Sequence, residues 1–253
     1  MSKKVVVFSQ IDSTVLEKLK SKFNVVELNP KLGDINQQIL TEVQDADGMI
    51  GAGRILNQTN LASATRLKVI SSVSVGYDNY DLAYLKQNNI LLCHTPYVLT
   101  ETTADLAFSL LMSAARKVVS LDAWTKAGEW KRTVSSQHFG QDVFRKKLGI
   151  IGLGNIGAAI ARRGFYGFNM DILYHNRREK PEIAEAFNAK YCSLDELLKT
   201  SDFIVVAVDL NSQSKALISS AQFEMMQKHA VFINISRGSV VDEAALIDAL
   251  KSE

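Results

Sequence analysis

The chain has 253 residues, 47% of them hydrophobic and 22% charged, with a formal net charge of +2. That length holds one large domain or two small ones. So even a charge balance, with no basic run interleaved with aromatics, argues against a nucleic-acid or polyanion binder.

The opening "MSKKVVVFSQ" passes straight into an apolar run of four, shorter than the core of a signal peptide. The most apolar long stretch, Ala104 to Val119, is interrupted by Asp105, Arg116 and Lys117 and is too short and polar to span a membrane. Cys93 and Cys192 lack metal-ligand spacing, so no metal site is expected. Both are read as buried free thiols of a protein in the reducing cytoplasm.

Along the chain, short apolar runs alternate with stretches of helical spacing. "VVVF" (5–8) leads to "STVLEKLKSKF" (13–23), and "VVEL" (25–28) to "INQQILTEVQ" (35–44). "GMIG" (48–51) leads to "NLASATR" (60–66). "KVISSVS" (68–74) leads to "DLAYLKQNN" (81–89) and then "ILLCHT" (90–95). Runs of this length suit strands buried on both faces, so the rhythm predicts an open parallel sheet with helices on both sides. A long helix is expected from about Glu101 to Val119, then a turn-rich segment at 123–143. The rhythm restarts at "KLGIIGLG" (147–154) and continues through "DILYHN" (171–176), "FIVVAV" (203–208) and "AVFINIS" (230–236). Two α/β domains follow, 1–100 and 101–253, with the boundary near "HTPYVLTETTAD". There Pro96 breaks the strand and Thr100 is placed to cap the helix.

The first strand leads into no glycine loop, but the second domain does. "GIIGLGNIGAAIARRGF" sets Gly152, Gly154 and Gly157 in GxGxxG spacing between a strand and a helix. Gly152 permits the tight turn, Gly154 lets a pyrophosphate approach the backbone, and Gly157 lets helix and strand pack closely. The N–H groups of Asn155 and Ile156 would face the phosphate. Dinucleotides normally find an acidic residue at the end of the next strand, which holds the adenosine ribose. Here that place, about twenty residues beyond Gly157, reads Asn176, Arg177, Arg178. A neutral amide and two guanidinium groups suit a 2′-phosphate. The expected cofactor is therefore NADP(H), with NAD(H) second. A methyltransferase could share the glycine loop, but it would leave the two arginines unexplained.

Four segments, "SVSVGYDNYDL" (72–82), "HTPYVLTETTAD" (94–105), "LGIIGLGNIG" (148–157) and "FINISRGSVVDEAALIDAL" (232–250), together resemble the D-isomer-specific 2-hydroxyacid dehydrogenases. The branch resembled is that of the glyoxylate/hydroxypyruvate reductases, including the 2-ketogluconate reductase type. The resemblance implies two Rossmann-like domains with parallel sheets, the first flavodoxin-like and carrying the substrate, the second binding NAD(P). It implies hydride transfer between nicotinamide C4 and the carbonyl carbon of a small 2-oxo acid. It places a substrate-carboxylate contact on Val75 and Gly76 and the substrate-orienting arginine on Arg237, a group able to clamp a carboxylate and polarise a carbonyl. It places Thr103 near the nicotinamide and Asn211 on the loop passing the adenine. That loop departs from the family pattern at Asp209. Arg54 and Leu56, just past a strand end, are candidate selectivity residues.

The family continues beyond "LKSE" through a catalytic Glu and a catalytic His, the acid that would protonate the forming alkoxide. His138, His175 and His229 are badly placed to replace it; His94, which ends a strand near the hinge, is the least implausible substitute but is read as structural. The sequence is therefore expected to be an incomplete form of a longer enzyme, its second domain unfinished, with a native mass above 28.0 kDa. The alternative is a non-catalytic NADP(H)-binding regulatory module or an inactive homologue. A homodimer is expected through the apolar helix at 104–119 and the segment carrying Trp124 and Trp130.

Overall fold

A computed structural model describes residues 2–252. The chain divides into two compact units, Met1–Val98 and Leu99–Glu253. The first unit runs β1 (Lys4–Val7), α1 (Ser13–Lys20), β2 (Asn24–Glu27), α2 (Ile35–Glu42), β3 (Gly48–Gly51), α3 (Gln58–Leu61), β4 (Val69–Ser72), α4 (Leu82–Gln87) and β5 (Leu91–Cys93). Its five strands are parallel, in the order β2-β1-β3-β4-β5. Val6, Met49 and Ile70 of neighbouring strands and Ile39 of α2 meet in one buried cluster. Each helix starts where a polar side chain takes over an orphan N–H of the first turn. Asp12 accepts from Thr14 N, Asp34 from Asn36 N, Asn57 from Thr59 N and Asp81 from Tyr84 N.

The second unit runs α5 (Thr100–Ala115), α6 (Val118–Lys126), β6 (Lys147–Ile151), α7 (Asn155–Phe168), β7 (Asp171–His175), α8 (Pro181–Ala184), β8 (Lys190–Tyr191), α9 (Leu194–Thr200), β9 (Phe203–Val206), α10 (Ser220–Met225), β10 (Val231–Asn234) and α11 (Glu243–Lys251). Its strands are also parallel, in the order β10-β9-β6-β7-β8. The chain leaves β6 toward β7 on one side and returns to β9 on the other, so the order reverses between β6 and β9. Open parallel sheets bind their ligands outside the strand C-termini at such a reversal. Phe203 to Val206 are buried throughout, as a central strand covered on both faces must be. Ala104, Ala107, Phe108 and Leu111 of α5 are buried in the same cluster as Ile160 of α7 and Ile233 of β10.

The α/β reading with two parallel sheets holds, and several local expectations are corrected. The helix expected to reach Val119 breaks at Arg116 and Lys117, because Lys117 adopts φ 55°, and its ammonium bonds Gln137 O at 3.0 Å. A second helix then covers Val118–Lys126, where the sequence from 123 onward predicts turns. Trp124 stacks on Trp130 and tilts against His138, folding the following segment back onto that helix. Thr100 is not the cap of α5 but its first residue; Leu99 holds the cap position and makes no side-chain bond. Of the stretch expected to be helical over 60–66, only Asn60 and Leu61 are in a helix, the short one over Gln58–Leu61. Cys192 is buried, but Cys93 is exposed on β5, the edge strand of its sheet.

The two units share one electrostatic device. Just ahead of β3, Asp47 accepts from the N–H of Lys4 at 2.8 Å and from the Arg66 guanidinium at 3.0 Å. Just ahead of β9, Asp202 accepts from the N–H of Lys147 at 2.8 Å and faces His229 Nε2 at 2.9 Å. Each carboxylate thus closes the first strand of its sheet against the next strand over. Burial alone would raise the Asp202 pKa; the bonds from Lys147 N–H and His229 outweigh it and hold the pKa below the ordinary value. A carboxyl lowered in this way adds stability above its unfolded pKa of about 3.9 and loses it as pH falls through the folded value. Asp202→Asn is expected to lower the urea midpoint at neutral pH and to flatten its fall in acid. Midpoints taken from about pH 7 to about pH 3 test this, and an unchanged slope would contradict it.

Candidate active site

The glycine turn lies where the second sheet reverses direction. β6 ends at Ile151, and Gly152 then takes φ 105°, a conformation in which a side chain is strained. A Cβ there would also lie 2.5 Å from Ala207 O. A Cβ on Gly157 would lie 2.1 Å from Gly152 O, so the first turn of α7 can rest on the strand end only with no side chain at 157. Gly154 differs, since a Cβ there would meet no heavy atom of the chain within 4 Å. Its carbonyl accepts from Ala158 N at 2.8 Å, opening a helix of 14 residues. The N–H groups of Asn155 and Ile156, in the first turn, have no intrahelical acceptor and sit at the positive end of the helix dipole. Asn155 is exposed and Ile156 half-buried.

Asn176 follows the end of β7. Its Oδ1 accepts from Leu153 N at 2.7 Å, inside the glycine turn, and its carbonyl accepts from the Tyr191 hydroxyl at 3.1 Å. The amide is thereby oriented, with Nδ2 the end left to a ligand. Arg177 and Arg178 are exposed beside it. Arg177 Nη1 lies 3.5 Å from Gln213 Oε1, the long limit of a hydrogen bond. Gln213 belongs to the loop shaped by Asn211, whose Oδ1 accepts from Gln213 N at 2.9 Å and Ser214 N at 3.2 Å. The Asn211 carboxamide oxygen thus shapes its own turn, while its Nδ2 donates to Asp209 O at 3.3 Å and the residue stays exposed.

Arg237 lies just past β10 on the same C-terminal edge, exposed, with Nη1 donating to Ser236 O at 3.2 Å. Its carbonyl accepts from Asn234 Nδ2 at 3.0 Å. The loop is joined to its neighbour by Ser236, whose Oγ accepts from Val208 N at 2.8 Å and donates to Val206 O at 3.2 Å. Ser236 went unnoticed in the sequence because a serine beside an Arg-Gly pair carries no signal of its own. Thr103 is half-buried in the first turn of α5, its N–H bonded to Leu99 O at 2.9 Å.

In the first unit, Arg54, Val75 and Gly76 sit past the C-terminal ends of the adjacent strands β3 and β4, all half-buried. Leu56 does not belong with them. It is 0% exposed in the hydrophobic core, and its N–H and carbonyl bond Asn79 O and Asp81 N. With no accessible surface it stitches two loops together, so its reading as a substrate contact is withdrawn. The histidines are committed elsewhere: His138 to Ser135, His175 to Cys192 O, His229 to Asp202 and His94 to Val75 O.

The family model "D-isomer specific 2-hydroxyacid dehydrogenase, NAD binding domain" matches residues 108–253. Glyoxylate/hydroxypyruvate reductase B of Citrobacter koseri is 42% identical over 252 residues, 100% of this chain and 78% of that one. The chain belongs to the D-isomer-specific 2-hydroxyacid dehydrogenases. Among solved structures, the NADPH-dependent glyoxylate/hydroxypyruvate reductase of Sinorhizobium meliloti, in complex with NADP and malonate, superposes with a TM-score of 0.85 at 28% identity, over 100% of this chain and 76% of that one. D-lactate dehydrogenase of Aquifex aeolicus, complexed with NAD and lactic acid, gives 0.88 at 26% identity, over 99% and 74%. Family members are oxidoreductases, and the second unit is an NAD-binding domain whose cofactor is a nicotinamide dinucleotide. The glycine turn fits that group, with an open position at Gly154 beside the exposed first turn of α7.

The three glycines are expected to separate in experiment. Gly157→Ala should cost about 1–3 kcal/mol of folding stability through the clash with Gly152 O. Gly154→Ala should cost less than about 1 kcal/mol yet weaken dinucleotide binding at least tenfold. Chemical unfolding and fluorescence titration of both variants check this, and a Gly154→Ala protein that binds like wild type would contradict it.

Proposed function

We propose that the protein is a reductase that uses NADPH to convert a small 2-oxo acid, such as glyoxylate, hydroxypyruvate or 2-ketogluconate, to the D-2-hydroxy acid. The observation that carries the cofactor preference is the end of β7, where Asn176 keeps only its Nδ2 for a ligand and Arg177 and Arg178 stand exposed. All of these groups are donors, and a 2′-phosphate is all acceptors. A carboxylate at 176 would instead favour ribose hydroxyls and repel the phosphate. The named activities of the relatives in Citrobacter koseri and Sinorhizobium meliloti support the same substrate class and cofactor.

In this reading the bound dinucleotide supplies the hydride. Asn155 and Ile156 hold its pyrophosphate through their N–H groups, and Thr103 lies toward the nicotinamide. Val75 and Gly76 hold the substrate carboxylate, Arg54 lies near its far end, and Arg237 polarises the carbonyl oxygen as charge develops on it. Because all four histidines are bonded elsewhere, the second reading is an NADP(H)-binding module without turnover. The protein is assigned to the cytoplasm. We also assign a homodimer, formed through α5 and the following segment that carries Trp124 and Trp130, where Leu106 is 56%, Leu110 44% and Trp130 60% exposed.

NADPH consumption is expected only when one of these acids is added; tight NADPH binding with no turnover of any of them would favour the binding module. Arg177→Ala should raise the Kd for NADPH at least tenfold and leave that for NADH within about twofold. Equal weakening would remove the basis of the preference. Sedimentation at micromolar concentration should give the mass of a dimer, and a monomer would contradict that assignment.

A further inference from the structure

The loop after β4 has an order that neither the glycine nor the tyrosine in it explains. Three successive carbonyls are each held by a different donor. Ser74 O accepts from Thr95 N at 3.0 Å. Val75 O faces His94 Nδ1 at 3.0 Å. Gly76 O accepts from Ser74 Oγ at 2.6 Å, and that hydroxyl is itself 2.8 Å from Ser72 Oγ. All these groups lie within the first unit, and the Tyr77 and His94 rings meet in a T-shaped contact at a centroid distance of 5.4 Å.

The chain has no cis peptide bonds, and in a trans peptide the N–H points opposite the carbonyl of the preceding residue. Fixing the carbonyls of Ser74, Val75 and Gly76 therefore fixes the N–H groups of Val75, Gly76 and Tyr77. Within this unit, among the described residues, no acceptor takes any of the three. Successive N–H groups of this kind form a site for an anion. The Val75 and Gly76 peptides have different supports. The first is held by backbone, through Thr95. The second is held by one exposed side chain, His94.

We propose that His94 is a positioning residue: by donating from Nδ1 to Val75 O it turns the Gly76 N–H toward the substrate carboxylate. The inference rests on the reductase reading, which puts that carboxylate on Val75 and Gly76. A carbonyl can only accept, so His94 carries a proton on Nδ1. The role explains why a histidine outside the reacting atoms stands at the end of β5. It also makes the loss specific, because without His94 the peptide between Val75 and Gly76 can rotate while its neighbours stay fixed.

The test uses the whole protein saturated with NADPH and oxalate as a planar, non-reducible mimic of a 2-oxo acid, with Kd values for oxalate and NADPH measured separately. In Asn the amide nitrogen is as many bonds from Cα as His Nδ1; in Gln it is as many as Nε2. His94→Ala and His94→Gln are expected to weaken oxalate about tenfold, the scale of one lost hydrogen bond, with NADPH affinity unchanged. His94→Asn should recover most of the loss. The proposal is overturned if His94→Ala binds oxalate like wild type, if Asn restores no more than Gln, or if both ligands weaken together. If wild-type protein holding NADPH binds no oxalate, the reductase reading itself fails, and this inference falls with it for that separate reason.

Discussion

The second unit depends on one steric constraint, the approach of the Gly157 Cα to the carbonyl of Gly152. No side chain larger than hydrogen fits there, so this contact decides how near α7 can come to the end of β6. The consequence is electrostatic. A helix packed that close has its first turn, with its unclaimed N–H groups, on the C-terminal edge where the sheet reverses. Around this point the other groups are fixed by a few hydrogen bonds. Leu153 N fixes the Asn176 amide, Ser236 joins the loops after β9 and β10, and Arg237 follows directly. The chemistry of the edge is thus set by backbone geometry first and by charged side chains second.

The first unit reaches a comparable result without a glycine loop. Its edge is organised by carbonyls pinned from neighbouring strands, with Thr95 and His94 from beyond β5 and Ser74 from beyond β4. Among the described residues, both units orient N–H groups that take no acceptor within their own unit, one at a helix start and one by hydrogen bonds to the preceding carbonyls. Both also close their first strand with an aspartate, Asp47 and Asp202, at corresponding places in their sheets. The repetition is a common way of starting a central parallel strand, giving its first N–H a partner before the ladder begins.

What could be read from the sequence follows from which constraints are local. The alternation of apolar runs with helical spacing, and the turn at Gly152 with the close helix approach at Gly157, depend on residues near one another in the chain. The family was legible because four separated segments, from Ser72 to Leu250, matched in order. The errors arise where distant contacts decide. Lys117 breaks a helix because its left-handed backbone and its bond to Gln137 outweigh an apolar pattern that reads straight through. Leu56 follows a strand end, as a substrate contact should, but a loop position does not say which way a side chain faces. The sequence places His94 at a strand end but does not reveal that its partner is the carbonyl of Val75.

The central claim is that the end of β7 recognises a phosphate rather than a bare ribose. The most direct measurement is calorimetric titration of the protein with 2′,5′-ADP and, separately, with 5′-AMP, two fragments that differ only in the 2′-phosphate and lack the nicotinamide. The account predicts that 2′,5′-ADP binds at least tenfold more tightly, with the difference shrinking as salt is raised because the contacts are exposed ion pairs. Equal affinities, or tighter binding of 5′-AMP, would contradict it.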